Sequence, residues 1–568
     1  MSDISASSWF RPPARIARRL VSLPVAGSLL VVTLVLLPVL ALCTIAARGS
    51  GDLWPHLIDN VLPTALWQTS VLLVGVGLSV TLVAVPCAWL VATCAFPGRR
   101  WLEVGLLLPL ALPGYIVAYS YLDVLHPLGP VQSALRWMLG ISSPRGFQLP
   151  DVRSTWGCIF VLSCVLYPYV YLSARASFLV QSASALDAAR ALGAGRWRTV
   201  WRVALPMARP AIVAGLTLAL LEVLGDIGAS EFLGMRTLTV SVYTTWVNRS
   251  NLPGAAQIAL VMMVFVLFLV AAERAARSRA RYGGGGSARP PAPVRLTGAA
   301  GIAAFAFCLV PVLLGFGVPV LHLLVAAVRR IEFGGISPNL LVEARNSALL
   351  AAGGMLLALL LGLTVTLAQR LVPSALTAGA ARLSTLGYAV PGTVLAIGLL
   401  VPLAGFDNIV DQAARQTLGI STGLILSGSG AALVIAYAIR FLAISVGALE
   451  AGYGKISPNL DMAARSLGQS RRGAVRHVHL PLMRTALATA ALMVFVDGMK
   501  ELPATLLLRP LGVETLATHV YGEAARGTYE DGALAALLIV LVGLVPVLLL
   551  ERLSRTALAG SPRGNRSV

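Results

Sequence analysis

The sequence predicts an all-α polytopic membrane protein with about 12 transmembrane helices, arranged as two parallel six-helix repeats. Three observations lead there. Of the 568 residues, 57% are hydrophobic and only 12% are charged, with a mean hydropathy of +0.81. Soluble domains carry about 25% charged residues, so half that figure leaves too little polar surface for a chain of this length in water. Apolar runs long enough to cross roughly 30 Å of hydrocarbon recur along the chain. Finally, the second half of the sequence repeats the first.

The apolar runs fall near 21–47, 66–95, 104–125, 156–178, 208–232 and 254–273, then near 298–328, 345–369, 384–405, 422–449, 486–508 and 532–551. The stretch Arg11–Arg19 ahead of the first run resembles the start of a signal peptide. Its apolar segment is too long for one, and no small-residue cleavage site follows, so it reads as an uncleaved first span. Between the two sets lies Gly283-Gly284-Gly285-Gly286 and Pro290-Pro291, a polar and flexible joint. The expected organisation is a first half over 1–273, a linker over 274–297 and a second half over 298–568.

The net charge of +20 has to be read against this topology. With the N-terminus inside, the cytoplasmic segments hold more than twice as many Lys and Arg as the outer ones, while Arg440 and Lys500 sit within spans. The positive-inside rule then accounts for the charge and puts both termini in the cytoplasm, so nucleic acid is not an expected partner. The cysteines Cys43, Cys87, Cys94, Cys158, Cys164 and Cys308 all lie in apolar runs without metal-ligand spacing. Neither a disulfide scaffold nor a metal site is expected. No cofactor is expected either.

The halves align at one constant offset. Ala188-Ala189-Arg190-Ala191-Leu192-Gly193 matches Ala463-Ala464-Arg465-Ser466-Leu467-Gly468, and Leu205-Pro206 matches Leu480-Pro481. Glu222 pairs with Asp497, Asp226 with Glu501, and Ala229-Ser230 with Ala504-Thr505. Leu112-Pro113-Gly114 corresponds to Val390-Pro391-Gly392 at a slightly longer offset. An even number of spans per half makes the repeats parallel, so matched residues can face one another across a pseudo-twofold axis.

Each half places a long cytoplasmic loop between its fourth and fifth spans. The first runs from Asp187-Ala188-Ala189 through Gly193 to Leu205-Pro206, and the second from Asp461-Met462-Ala463-Ala464 through Gly468 to Leu480-Pro481. An acidic residue opens a short helix, where it suits the positive end of the dipole. The Ala pairs allow close approach, and Gly ends or bends the helix. This pattern resembles the EAA loop of ABC importer permeases, E-A-A-x-x-x-G-x9-I-x-L-P. The resemblance implies coupling helices at about Asp187–Arg198 and Met462–Gly473 that dock into a separate ATP-binding subunit, two copies of which serve the two loops. Two departures stand out. Met462 occupies the position of the leading Glu in the second copy, with Asp461 just before it, and Val replaces Ile in both. A helix that merely lay on the membrane surface would not need two matching copies. No G-x-x-x-x-G-K-[ST] phosphate loop occurs, so ATP hydrolysis is expected on another chain and no enzymatic activity on this one.

Ionisable groups in hydrocarbon are costly and usually functional. Glu222 with Asp226, and Asp497 with Glu501, are spaced i, i+4, which places each pair on one helical face. Counted from Pro210, Glu222 lies about 18 Å and Asp226 about 24 Å into the span. Two roles fit these acids. They line a passage that favours a cation, with Lys500 weakening that field, or they form buried ion pairs with Lys500 and Arg440 that fix helix packing. Glu231 reads as a solvated end. His322, His477, His479 and His519 form no ligand set, and His477 and His479 read as part of a basic loop.

The run Val496-Asp497-Gly498-Met499-Lys500-Glu501-Leu502-Pro503-Ala504-Thr505 with its continuation Leu506-Leu507-Leu508-Arg509-Pro510 resembles the signature of ferric-iron ABC importer permeases. Pro109–Tyr115 and Tyr437–Ala443 are similar to the same family. The resemblance implies the inner membrane of a bacterium, an extracytoplasmic substrate-binding protein that delivers the ion, and alternating access driven by the ATP-binding subunits. Thiamine, aminoethylphosphonate and polyamine permeases share the architecture and stand as alternative substrates. An ion-coupled secondary transporter is the rival from another class, but it would not need two EAA-like loops.

Overall fold

The computed structural model describes residues 23–180, 191–193, 195–278 and 293–559. Ten helices there are long and apolar enough to cross a membrane: Leu23–Ala47, Leu53–Thr93, Thr155–Leu179, Val200–Gly225, Leu252–Ala276, Gly298–Gly334, Asn339–Leu371, Gly392–Leu418, Ala431–Tyr453 and Arg472–Met499. The third expected span is broken, with Arg99–Ala111 and Gly114–Val124 meeting at 93°. The twelfth is a shorter apolar helix, Ala533–Leu549. Numbered in chain order, with the bent pair third, these are spans 1 to 12. Each apolar run of the sequence holds an apolar helix, as the fold class requires. Among the described residues, extended pairing is limited to a parallel bridge of Cys94–Ala95 with Val294–Arg295. Residues 279–292 of the expected linker lie outside the described residues.

Proline explains the break in span 3. Leu112 is extended (φ −103°, ψ 125°) and Pro113 follows it in extended backbone (ψ 150°), opening the next helix at Gly114. A proline ring disfavours helical backbone at the residue before it, so the chain turns there instead of running on.

Elsewhere proline produces a different effect. Among the described residues, four wide π turns occur, at Leu57–Val61, Val200–Ala204, Leu313–Gly317 and Val475–His479. Each is followed by one residue and then a proline: Pro63, Pro206, Pro319 and Pro481. A proline offers no N–H to the helix, and just ahead of each one the turn widens from i→i−4 to i→i−5 bonding. Leu205 N–H reaches Val200 O, and Leu480 N–H reaches Val475 O. Pro206 and Pro481 therefore do not end a loop before spans 5 and 11, as the sequence suggested. They lie inside helices that already run from Val200 and Arg472.

By packing, the chain divides into two units. One comprises Met1–Ala41, Leu349–Val390 and Gly398–Gly498, and the other Leu42–Ala348, Pro391–Ile397 and Met499–Val568. In the first, helices approach closely through glycine. A Cβ on Gly354 would lie 2.6 Å from that of Tyr437, so only glycine lets spans 8 and 10 come this near. Where spans 8, 10 and 11 converge, Leu449, Tyr453, Ile456 and Met483 form a buried cluster, against which Leu363, Leu367 and Leu487 pack. Full burial of such side chains contributes about 1.5–3 kcal/mol each relative to water. This cluster seats the loop that joins spans 10 and 11. In the second unit, the short helices Gly228–Phe232 and Pro503–Leu508 follow the ends of spans 5 and 11.

Candidate functional site

The loop between spans 10 and 11 folds as the helix Pro458–Ser466, a turn, and a second helical stretch that starts at Arg471. Ser457 caps the first helix by accepting from Asn459 N–H, and Pro458 takes the first helical position, where its missing donor costs nothing. The helix thus begins and ends earlier than the Met462–Gly473 range expected from sequence. Asp461 falls in its first turn and Ala463 and Ala464 in its body. At the other end, Leu467 N–H reaches Ala463 O, Gly468 N–H reaches Arg465 O, and Gln469 N–H reaches Ala464 O. Gly468 holds φ +76°, the left-handed conformation that closes such an end.

Asp461 is the anchor. Its Oδ2 accepts from Arg370 Nε at 3.0 Å and from Nη2 at 2.8 Å, and its Oδ1 lies 2.5 Å from His479 Nε2. A carboxylate can only accept, so His479 carries its proton on Nε2. Burial raises the Asp461 pKa, but the His479 hydrogen bond and the Arg370 charge outweigh it and hold the carboxyl below its usual 3.8. Arg370 Nη2 also donates to Ile456 O at 3.1 Å. His479 is 1% exposed and sits edge-on to the Tyr453 ring, with centroids 5.5 Å apart. It is therefore a buried partner of the acid rather than part of a solvated basic loop. Arg370, at the end of span 8, was visible in the sequence only as a loop charge. Met462 and Leu467, by contrast, are 61% and 80% exposed, so the helix turns its acid inward and apolar side chains outward.

In the first copy, Asp187, Ala188 and Ala189 lie outside the described residues. Gly193 has φ +81°, close to that of Gly468, and Pro206 sits in the helix behind its π turn as Pro481 does. The two loops thus share their glycine conformation and their widened turn. The His479 position is occupied by Ala204 in the first copy, which has no imidazole to offer.

The intramembrane acids are placed differently from the sequence expectation. Span 5 ends at Gly225 and Asp226 is extended (ψ 126°); the helix carrying Asp497 ends at Met499, before Lys500 and Glu501. Glu222 and Asp226 therefore do not share one continuous helical face, nor do Asp497 and Glu501. The chain breaks between the members of each pair because the second acid caps the next short helix. Asp226 Oδ1 accepts from Ser230 N–H at 2.8 Å, and Glu501 accepts from Ala504 N–H at 3.0 Å and Thr505 N–H at 3.1 Å. Carboxylates at these positions satisfy amides that a helix start leaves open. Glu231 is not a free solvated end: its Oε2 accepts from Tyr521 Oη at 2.5 Å.

The two breaks meet. A Cβ on Gly228 would lie 2.5 Å from Cβ of Tyr115 and 3.0 Å from a methyl of Leu502, so the chain after span 5 touches both span 3 and the chain after span 11. Gly114, next to Tyr115, faces Asp226 and Ala229. The matched motifs Leu112-Pro113-Gly114, Asp226 to Ser230 and Glu501 to Thr505 thus surround one place in the second unit.

Many membrane-spanning helices, breaks after spans 5 and 11 and a duplicated loop are features that a transport permease would show. Residues 4–282 match the family described as binding-protein-dependent transport system inner membrane component, and the chain belongs to that family. Over 491 residues it is 26% identical to the Fe(3+)-transport system permease protein FbpB 2 of Haemophilus influenzae, covering 86% of this chain and 89% of that one. The molybdenum transport system permease protein ModB of Escherichia coli is 30% identical over 229 residues, covering 38% of this chain and 96% of that one. A putative 2-aminoethylphosphonate transport system permease protein of Salmonella choleraesuis is 28% identical over 276 residues, 43% of this chain and 91% of its own. The chain is a membrane transport subunit of this family rather than an enzyme.

Proposed function

We propose that this chain is the transmembrane permease subunit of a binding-protein-dependent ferric-iron importer, driven by ATP hydrolysis on a separate subunit. The observation that carries the reading is the pair of EAA-like loops, whose glycine conformation and π turn match and whose second copy is pinned through Asp461. Beyond the turn that follows Gly193 or Gly468, the chain enters the helix of span 5 or span 11. Movement of either loop would reach the breaks at Asp226 and Glu501 through the helix of span 5 or span 11. Two ATP-binding subunits would take the loop segments expected at Asp187–Arg198 and found at Pro458–Ser466, and the exposed Met462 and Leu467 suit an apolar cleft. The termini and both loops lie in the cytoplasm in this arrangement, and a substrate-binding protein delivers cargo from outside.

Iron is favoured because the likeness to the Fe(3+) permease spans both halves, whereas the molybdenum and phosphonate relatives match over less than half of the chain. The acids agree in sign: Glu222, Asp226, Asp497 and Glu501 lie at or beside the breaks, and with Lys500 they form the proposed translocation path for a cation. The test is reconstitution of the chain with its ATP-binding subunit and binding protein in vesicles, followed by uptake of radioactive iron, molybdate and 2-aminoethylphosphonate. ATP-dependent uptake of iron alone supports the assignment, and uptake of another of the three reassigns the substrate. Uptake that persists without the ATP-binding subunit and collapses with the proton gradient rejects the importer reading.

A further inference from the structure

Within the second unit, a polar cavity of about 530 Å³ opens among the end of span 7, the start of span 8 and residues that follow spans 5 and 11. It shares no residue with the loops or the acids discussed above. Its walls are made of ion pairs: Arg330 with Asp531 at 2.5 Å, His519 with Glu343 at 3.1 Å, and the pairs Arg509–Glu514 and Arg526–Glu523. Exposure falls from rim to floor. The Arg526 side chain is 66% exposed and that of Glu514 47%, while that of Glu343 is 6%.

The floor is chemically incomplete. Glu343 Oε1 takes the His519 bond, and its Oε2 is buried without a hydrogen-bond partner among the described residues. A buried carboxylate oxygen needs a donor, and a cationic donor most of all. The rim supplies the opposite preference. A guanidinium has five N–H groups; Arg509 engages Glu514, Val513 O and Thr518 Oγ1 through Nη1, and Arg526 engages Glu523 through Nη2, so the other nitrogens of each can meet an oxyanion. Among the described residues, no three His, Cys, Asp or Glu side chains are placed to hold a metal ion, so the missing cation is not a metal held by such a cluster. The neighbouring chain is suited to lipid, with Phe333 90% exposed and Leu341 79% exposed between and beside the cavity residues Arg330 and Glu343.

We propose that this cavity binds a primary ammonium joined by a short linker to a phosphate, the chemistry of an ethanolamine phosphate group, with the ammonium on Glu343 and the phosphate at Arg509 and Arg526. Two sources carry that group, a phosphatidylethanolamine lipid and a soluble phosphoethanolamine ester. The full chain, purified in detergent and depleted of lipid, would be titrated with glycerophosphoethanolamine and with glycerophosphocholine. In parallel it would be placed in nanodiscs of phosphatidylethanolamine or phosphatidylcholine and its thermal stability measured.

The choline group keeps the charges and lacks the N–H donors, so at least tenfold weaker binding, or a lower melting temperature in its nanodiscs, is expected. Preference for ethanolamine with the soluble ester identifies a free ligand, and preference only in nanodiscs identifies the lipid; either supports the site. E343Q keeps an oxygen for His519 but turns a donor toward the ligand, and should abolish the preference. The exposed rim variant R526Q should weaken binding several-fold without unfolding the chain, which keeps the test open if E343Q does not fold. Equal treatment of ethanolamine and choline by the wild-type protein, or full binding by R526Q and by a folded E343Q, overturns the proposal.

Discussion

Arg370 closes on Asp461 through two nitrogens, Nε at 3.0 Å and Nη2 at 2.8 Å, and so ties the end of span 8 to the first turn of the Pro458–Ser466 helix. The acid that would face a partner in an EAA loop is thereby engaged within the chain. Replacing Arg370 with Ala should release the helix while leaving the spans intact. Hydrogen bonds to charged groups contribute about 1.5–3 kcal/mol when they are shielded, so amide exchange across Pro458–Ser466 should accelerate by roughly ten- to a hundredfold. Stimulation of ATP hydrolysis by the binding protein should fall, with the ATP-binding subunit still recovered in pull-down. Unchanged exchange and full stimulation would show that the pair does not position the loop.

The same anchor has a pH signature. The Asp461 carboxyl is held below 3.8, so its contribution is present above that value and is lost as pH falls through the lower, folded value. His519 behaves with the opposite sign. The bond to Glu343 raises its pKa above 6.5 against burial, helped by the Glu343 charge, the Asp531 carbonyl and Glu523. Its contribution is complete below 6.5 and disappears as pH rises through the folded value. Amide exchange in the Leu516–Arg526 helix, corrected for intrinsic rates, should therefore show protection that declines as pH rises above 6.5. H519Q should flatten that profile, and a profile that H519Q leaves unaltered would count against the pairing.

Gly468 separates backbone strain from docking. Its φ of +76° is unfavourable for a side chain, yet a Cβ there would meet nothing within 4 Å. G468A should cost about 1–2 kcal/mol of local stability, and G468N less, because asparagine tolerates that conformation better. G468W adds bulk on the surface proposed for docking and should uncouple ATP hydrolysis from uptake. If both G193W and G468W transport normally, the loops do not dock as proposed.

Glu501 is the place to divide capping from cation passage. E501A leaves the amides of Ala504 and Thr505 without their acceptor and should lower stability by about 1–3 kcal/mol. E501Q retains an acceptor oxygen and should preserve the melting temperature more nearly while removing the charge. Iron uptake that falls severalfold in E501Q at unchanged assembly assigns the charge to passage. Uptake equal to wild type assigns Glu501 to the cap alone. The double variant E222Q/D497N tests the other two acids by the same measurement.

The number and order of spans were legible because a crossing helix must satisfy both length and apolarity, and few other segments do. The duplicated loops were legible as well, since Ala188-Ala189 and Ala463-Ala464 recur with glycine and proline at fixed distances. The breaks at Asp226 and Glu501 were not. They lie inside runs whose composition fits a continuous helix, and the decisive interactions are local caps. A signal did exist in Asp226-Ile227-Gly228-Ala229-Ser230 and in Glu501-Leu502-Pro503-Ala504-Thr505, where an acid precedes a new helix start, with proline at its first position in the second. The partnership of Asp461 with Arg370 and His479 left no such trace. It joins residues from span 8, a loop and the entry to span 11, and only the packing around Tyr453 brings them together.

The π turn at Val475–His479 holds one residue more than an ordinary helical turn. Everything after it is therefore rotated by roughly 100° from where an uninterrupted helix would point it. The turn at Val200–Ala204 applies the same rotation in the other half. Duplication thus copied an angular phase along with a set of residues. An EAA-like segment transplanted from this chain without its surplus residue would arrive facing the wrong way.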